Sequence, residues 1–275
     1  MKADLHMHSI YSDGKLTIDQ LIERIEQAKL DVVALTDHDT IFGVKEYKEK
    51  LEKKGVIVVA GLELSTKYNG ESIHVLGYFK DIEAMGTEFR EYLETMHSVR
   101  YSRLRQMVEN VNRIYGFNID FDQIAKEHPF MLERSHLSDA IEKITGEERQ
   151  VIFKKYIGDT SPAYVPVAKI TPIDGVDMIH KAGGYAFMAH PYSYKNAIKI
   201  LDETPFDGIE VFYGPAKGDE TNYKKYYNYA KEHNLLISGG SDFHQDNDMK
   251  HSSIGTAEYY SPYIEEVLDR IGIKR

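Results

Sequence analysis

The chain has no cysteine. That excludes disulfides and thiolate metal ligands, and it fits a protein of a reducing compartment. No apolar run approaches the roughly 18 residues that a membrane-spanning helix needs. The N-terminus enters a strand-like segment without the pattern of a signal peptide, so a cytoplasmic protein with no membrane attachment is expected. Positive charge is scarce, with 34 Lys and Arg against 44 Asp and Glu and a formal charge of −10. This argues against a broad surface for long duplex nucleic acid, which depends on many lysine and arginine contacts. A small phosphate ester or a strand end could still be held where bound cations invert the local sign. There is no short internal repeat, low-complexity tract or flexible linker.

What is present describes an ordinary globular protein: 275 residues, 42% hydrophobic and 28% charged. That length suits one large α/β domain carrying an insertion. Strand-like and helix-like segments alternate over the first eighty residues. Lys2 to His6 reads as a strand, and Thr17 with Gln20 forms a capping-box signal ahead of apolar positions at Ile18, Leu21, Ile22, Ile25 and Ala28. Further strands are expected at Asp31 to Thr36, Val56 to Ala60 and Ile73 to Phe79, with an amphipathic helix from Val44 to Lys54. Between 81 and 165 the pattern becomes helical and charged, with an apolar stripe at Leu104, Met107, Val108, Val111 and Ile114 that reads as core. Strands return at Tyr185 to Ala189, Gly208 to Phe212 and Leu235 to Gly239, between helices that begin near Pro172, Asn196 and Glu220. Seven strands in βα alternation predict a parallel, nearly closed barrel formed by 1–80 and 166–275, with 81–165 as a helical insert.

Metal-type side chains recur at the expected strand exits: His6, His8, Asp13, His38, Glu63, His74, His190, Asp242 and His244. In "DLHMHS" the two histidines are two apart on a strand, so both imidazoles face one side. "GSDFH" repeats that spacing with Asp242 and His244. Taken singly, each residue has an ordinary reading: Asp13 as a turn residue before glycine, His74 as a core histidine, His190 as the start of a proline-stiffened loop. Taken together they gather at the C-terminal ends of barrel strands, where active sites of such barrels form. Mixed imidazole and carboxylate ligands suit zinc, manganese or iron. Asp37 and Asp39 are expected to orient ligand imidazoles from behind, and Glu210 near the end of the sixth strand is a further candidate for that role.

These motifs, "DLHMHS", "TDHD", "GLE", "HVLGY", "AHP" and "GSDFH", resemble the PHP (polymerase and histidinol phosphatase) phosphoesterases over essentially the whole chain. The "LERSHLSDAI" segment and the stretch up to "FMAHP" look like the branch that includes nucleoside 3′,5′-bisphosphate phosphatases and ribonuclease AM. The resemblance implies a distorted (β/α)7 barrel with two or three divalent metal ions (Mn, Fe or Zn). It implies that His6, His8, Glu63 and Asp242 hold one ion, Glu63 with His74 and His190 a second, and Asp13, His38 and His244 a third. Arg134 and His136 resemble the branch's phosphate-binding pair, with Ser135 where the branch usually has proline. Asp242 and His190 are then expected to be essential to turnover, Arg134 to fork onto a phosphate, and His136 to bind phosphate or protonate the leaving group. The implied substrate is a nucleoside 3′,5′-bisphosphate or the 5′ end of a short RNA. Rival readings are a phosphatase for histidinol phosphate or a nucleoside monophosphate, a metal-dependent amidohydrolase, and a non-catalytic PHP module.

Overall fold

The computed structural model describes residues 1–83, 85–248 and 250–274. Its sheet has eight strands in the order β7-β6-β5-β4-β3-β2-β1-β8. The first half runs β1 (Lys2–Asp4), α1 (Ile18–Ala28), β2 (Val32–Leu35), α2 (Val44–Glu52), β3 (Ile57–Tyr68) and β4 (Glu71–Phe79). Four helices follow, α3 (Thr87–Tyr115), α4 (Phe121–Glu127), α5 (Arg134–Thr145) and α6 (Arg149–Ile152), the last running on as a π-helical turn over Phe153–Ile157. The chain then returns through α7 (Pro172–Lys181), β5 (Tyr185–Met188), α8 (Ala197–Glu203), β6 (Gly208–Tyr213), α9 (Glu220–Glu232), β7 (Leu236–Gly240), β8 (Tyr259–Tyr260) and α10 (Tyr263–Ile271).

Local chemistry sets several of these boundaries. Thr17 caps α1 in the expected box with Gln20, and Thr171 with Asp174 does the same for α7, which has Pro172 in its first turn. The barrel strands are buried on both faces, as Val32 to Leu35 and Ala186 to Met188 illustrate. Leu104, Met107, Val108 and Val111 of α3 pack with Leu137, Ile141, Ile152 and Ile157 into a core separate from that of the barrel, whereas Phe89 and Leu93 at the start of α3 pack on the barrel itself.

The expected all-parallel sheet needs correction. Strand β3 does not stop at Ala60; it runs to Tyr68 and turns back through Asn69 and Gly70, both at positive φ, into β4 with Tyr68 opposite Glu71. An Asn-Gly pair between strands favours a two-residue hairpin because both residues accept left-handed backbone. Strand β4 is therefore antiparallel to both β3 and β5, and His74 lies in its first half rather than at its exit. The same reversal brings His74 to the end of the barrel where the other strands finish.

Closure joins the continuations of β1 and β7: Leu5 N–H donates to the Gly239 carbonyl at 3.0 Å, Asp242 N–H to His6 at 2.9 Å and His8 N–H to Phe243 at 2.9 Å. Strand β8 adds antiparallel to the start of β1. The seam requires glycine at 240, where an added Cβ would stand 2.3 Å from the Cβ of His6 and 2.6 Å from its nitrogen. Gly240→Ala should overpack the seam by about 2 kcal/mol and lower the thermal midpoint by about 5 °C. Gly86→Ala, where nothing lies within 4 Å, is the control; equal midpoints for the two variants in a calorimetric scan would refute the seam argument.

Candidate metal centre

Glu63 occupies the middle of β3 and is fully buried. Its Oε2 lies 3.4 Å from His6 Nε2, 3.3 Å from His8 Nε2 and 3.0 Å from His38 Nδ1. Its Oε1 lies 3.0 Å from His74 Nδ1 and 2.9 Å from His190 Nε2. Asp242 Oδ1 is 3.3 Å from both His6 Nε2 and His8 Nε2. Asp13 Oδ1 is 3.2 Å from His244 Nε2 and 3.8 Å from His38 Nε2. All nine residues named from the sequence thus meet at one end of the barrel, and the structure groups His6, His8, Glu63 and Asp242; His8, Asp13, His38 and His244; and His38, Glu63 and His74.

The donor set passes a test of fit for metal. Atoms bound roughly 2.0–2.2 Å from one ion stand about 2.8–3.6 Å from their neighbours in octahedral or tetrahedral geometry, as all the spacings above do except that between Asp13 and His38, at 3.8 Å. His6 Nε2, both nitrogens of His8, Asp13 Oδ1, His38 Nδ1, Glu63 Oε2 and His74 Nδ1 are buried and make no hydrogen bond, which is costly unless something else binds them. The charges agree. Burial would lift the carboxyl of Glu63, yet His74, His38 and His6 hold it well below the usual range, and Asp242 is held down in the same way by His6 and His8. Burial would lower His8, yet Asp242 and Glu63 carry it up to about 10. With protons as the only cations, the carboxylates raise His6 and His8, while burial outweighs them at His38 and His74 and lowers those imidazoles; divalent ions would take the protons' place.

The loops that carry the ligands are tightly specified. Asp242 and His190 sit at strand exits with left-handed backbone, φ 53° and 27°, conformations that side-chain-bearing residues adopt at a cost and that cluster at functional sites. Gly14, directly after Asp13, packs against the backbone of His8, where a Cβ would meet the carbonyl at 2.5 Å.

The support behind the ligands matches the expectation for Glu210 and differs from it for Asp37 and Asp39. Asp37 does not orient an imidazole; it accepts from Ser9 N–H and Ser9 Oγ, each at 2.7 Å, and from Ser12 Oγ at 2.6 Å, pinning the β1–α1 loop. Asp39 accepts from Ser65 N–H at 2.7 Å and pairs with Arg100. Glu210 is the residue that orients ligands: His6 Nδ1–H donates to its Oε1 at 2.9 Å and His190 N–H to its Oε2 at 2.7 Å. This leaves His6 Nε2 free to face the cluster. His244 is set likewise by its Nδ1 bond to the Asp242 carbonyl at 2.8 Å.

A cavity of about 320 Å³ opens over the cluster, lined by Asp13, His38, Glu63, His74, His190, Asp242 and His244 together with Arg100, Arg103, Arg134, Arg149, Lys169 and Lys250. Arg134 pairs with Asp159 at 2.7 Å and lies over the rings of Phe153 and Tyr164. His136 is placed elsewhere. Its Nδ1 accepts from Glu133 N–H at the start of α5, its ring stacks on His128 at 3.7 Å, and it lines a different cavity with Lys15 and Asp139. The expected Arg134–His136 pair is therefore split, because a residue two positions further along a helix points away from its neighbour's face.

The sequence reading also missed His251 and Tyr213. The imidazole of His251 stacks on His244 at 4.0 Å and groups with Asp242 and His244, and the Tyr213 hydroxyl donates to Asp242 Oδ2 at 3.0 Å. His251 follows β7 by eleven residues in a loop without periodicity, and nothing in the order of residues marks it. Tyr213 directly follows the apolar run of β6, the position that supplies ligands elsewhere in the barrel.

The chain is 30% identical over 251 residues to the 3′,5′-nucleoside bisphosphate phosphatase of Chromobacterium violaceum, covering 88% of this chain and 86% of that protein. It is 29% identical to the 5′-3′ exoribonuclease Rnm of Escherichia coli, covering 88% and 85%. It is 27% identical to the phosphoribosyl 1,2-cyclic phosphate 1,2-diphosphodiesterase of Eggerthella lenta, covering 89% and 94%. Among solved structures, a Chromobacterium violaceum protein described as an amidohydrolase with bound sulfate and no metal superposes with a TM-score of 0.83 at 27% identity, covering 98% of this chain and 97% of that one. The profile of the PHP domain matches residues 4–273, so the chain belongs to the PHP domain family.

Proposed function

We propose that the protein is a metal-dependent phosphoesterase that removes the 3′-phosphate of nucleoside 3′,5′-bisphosphates and trims short 5′-phosphorylated RNA from its 5′ end. One observation carries this reading: ligands suited to divalent ions and six basic side chains line a single cavity. His6, His8, Glu63 and Asp242 would hold one ion. Asp13, His38 and His244, with His8, would hold another, and Glu63 with His74 and His190 a third. Manganese, iron and zinc all suit these donors. Bound there, the ions would supply a water of depressed pKa and neutralise charge on the phosphoryl oxygens.

The chain's own residues do the rest. Glu210 holds His6 with Nε2 presented to the cluster, and Tyr213 donates to the outer oxygen of Asp242, fixing the carboxylate's orientation. Arg134 offers a planar fork to the 5′-phosphate of the substrate, and Lys169, bonded to Ser72 Oγ at 2.9 Å, stands beside it in the same wall. His136 lies outside the lining of this cavity. The insert, 81–165, acts as the lid that reads the second phosphate, and the place a carbamylated lysine would bridge in an amidohydrolase is filled by Glu63. A cytoplasmic location belongs to the same reading; among the described residues no helix is long and apolar enough to cross a membrane.

Asp242→Ala should abolish phosphate release while circular dichroism stays native; full turnover in the purified variant would sink the site assignment. The wild-type protein should hydrolyse 3′,5′-bisphosphoadenosine with kcat/KM at least tenfold above that for AMP, a gap of about 1.4 kcal/mol, and Arg134→Lys should narrow it. Equal values for the two nucleotides in the wild type would refute a second phosphate subsite. Burial and the neighbouring Arg100 guanidinium push Lys169 down to about 8. Its positive charge is therefore present below that pH and lost above it, so KM for the bisphosphate should rise as pH passes 8. Lys169→Arg should shift that rise to higher pH; an unchanged profile would remove Lys169 from the subsite.

A further inference from the structure

The Tyr213 ring lines two cavities, the one over the metal-type cluster and a groove of about 580 Å³ formed by Tyr192, Phe212, Tyr223 and Tyr260 with the β6–α9 loop. The wall between them is held firmly. Tyr213 donates to Asp242 at 3.0 Å, Tyr192 donates to the Val211 carbonyl at 2.5 Å, and the two rings stack with centroids 5.9 Å apart. Tyr260, at the groove's outer side, is 45% exposed. None of the arginines that face the metal-type ligands lines this groove, and its own charges are spent on one another: Lys217 pairs with Glu258 at 2.7 Å, Lys224 with Glu220 at 3.3 Å, and Asp219 caps α9. What it offers a ligand is a set of aromatic faces without net attraction for phosphate. That suits an uncharged, flat heterocycle.

We propose that this groove binds the nucleobase on the 3′ side of the scissile phosphate when the substrate is a short single-stranded RNA. The proposal rests on the phosphoesterase reading above and extends it. In both substrates of that reading, water forms a bond to phosphorus, the bond from phosphorus to the 3′-oxygen of the terminal nucleotide breaks, and that oxygen takes up the proton given up by the water. The products are a nucleoside 5′-phosphate and either inorganic phosphate or an RNA one nucleotide shorter with its own 5′-phosphate. The two substrates differ solely in what else the attacked phosphorus carries. In RNA it also carries the next nucleoside, which extends beyond the metal-type cluster. Tyr213 is the wall shared with an aromatic groove, and stacking there accepts any base, as stepwise trimming requires.

The test compares wild type, Tyr260→Ala and Tyr260→Phe in the full chain loaded with manganese. Two readouts are taken: binding of a 5′-phosphorylated, phosphorothioate-linked tetranucleotide RNA by anisotropy, and phosphate release from 3′,5′-bisphosphoadenosine. Tyr260→Ala should raise the RNA Kd about tenfold, the scale of one lost stacking contact. Tyr260→Phe should keep it, and bisphosphate turnover should be the same in all three. An RNA Kd unmoved by Tyr260→Ala, or RNA binding and bisphosphate turnover falling together, would overturn the proposal. If no bisphosphate is hydrolysed while Tyr260→Ala still weakens RNA binding, the groove stands and the phosphatase reading falls. Sedimentation of the same samples covers the rival occupant: a dimer dissociated by Tyr260→Ala, with RNA Kd unchanged, would assign the groove to a second copy of the chain and overturn the proposal.

Discussion

A single buried carboxylate organises the functional end of this molecule. Glu63 stands within 3.4 Å of five imidazoles contributed by four different stretches of chain. A charge so placed would be prohibitively costly unless cations surround it. The strand that carries it must therefore run deep enough to bring it under His6 and His8, and the chain must fold back at once so that His74 reaches its other oxygen. The twelve-residue β3 and the Asn69–Gly70 turn satisfy both conditions. The antiparallel β4 that distorts the barrel is thus a consequence of where the ligands have to be.

A second buried charge ties the insert to that site. The Arg100 guanidinium, near the middle of α3, pairs with Asp39 behind β2 and with Glu133 at the start of α5, and it donates to Ser65 Oγ at 3.0 Å. Burial would raise the Asp39 carboxyl, but Arg100 holds it below its ordinary value. Two carboxylates from the barrel and the insert share one cation, so neither can move without leaving a buried charge unpaired, a loss of about 3–5 kcal/mol. Arg134, one residue after Glu133, inherits its position over the cavity from this tie. Arg100 lines the same cavity, but its charge is committed to Asp39 and Glu133; on the proposed reading, anion binding would fall to the other basic residues of the lining.

The sequence made the ligands legible because each sits in a short motif with strand periodicity, and the helices because their caps and apolar stripes are local. It was less informative wherever the answer lay in tertiary contacts. His136 carried the same local signal as Arg134, yet it closes a capping interaction with Glu133 and turns to His128. Asp37 and Asp39 flank His38 and looked like its supports, but their hydrogen bonds go to Ser9, Ser12, Ser65 and Arg100, while Glu210 is 204 positions from the imidazole it orients. The Asn-Gly turn is a different case: its signal is local and strong, and a strict expectation of βα alternation overrode it.

The acidic character of the chain and its proposed affinity for anions are compatible because the charges are segregated by depth. The ten excess negative charges are counted over the whole sequence, but inside the barrel mouth Glu63 and Asp242 are buried and Asp13 half-buried among imidazoles whose place beside them divalent ions would take. Above them the cavity wall is basic. With divalent ions bound, a phosphate entering there would meet cations from the cluster and from the wall, at short range and partly shielded from solvent, where a pair of charges interacts far more strongly than across the screened outer surface. The acidic exterior adds only a weak, salt-screened repulsion that would disfavour long polyanions more than small ones. Selection by size then needs no dedicated gate: a mononucleotide or a strand end presents its charge inside the cavity, and a long duplex would leave most of its charge against an acidic surface.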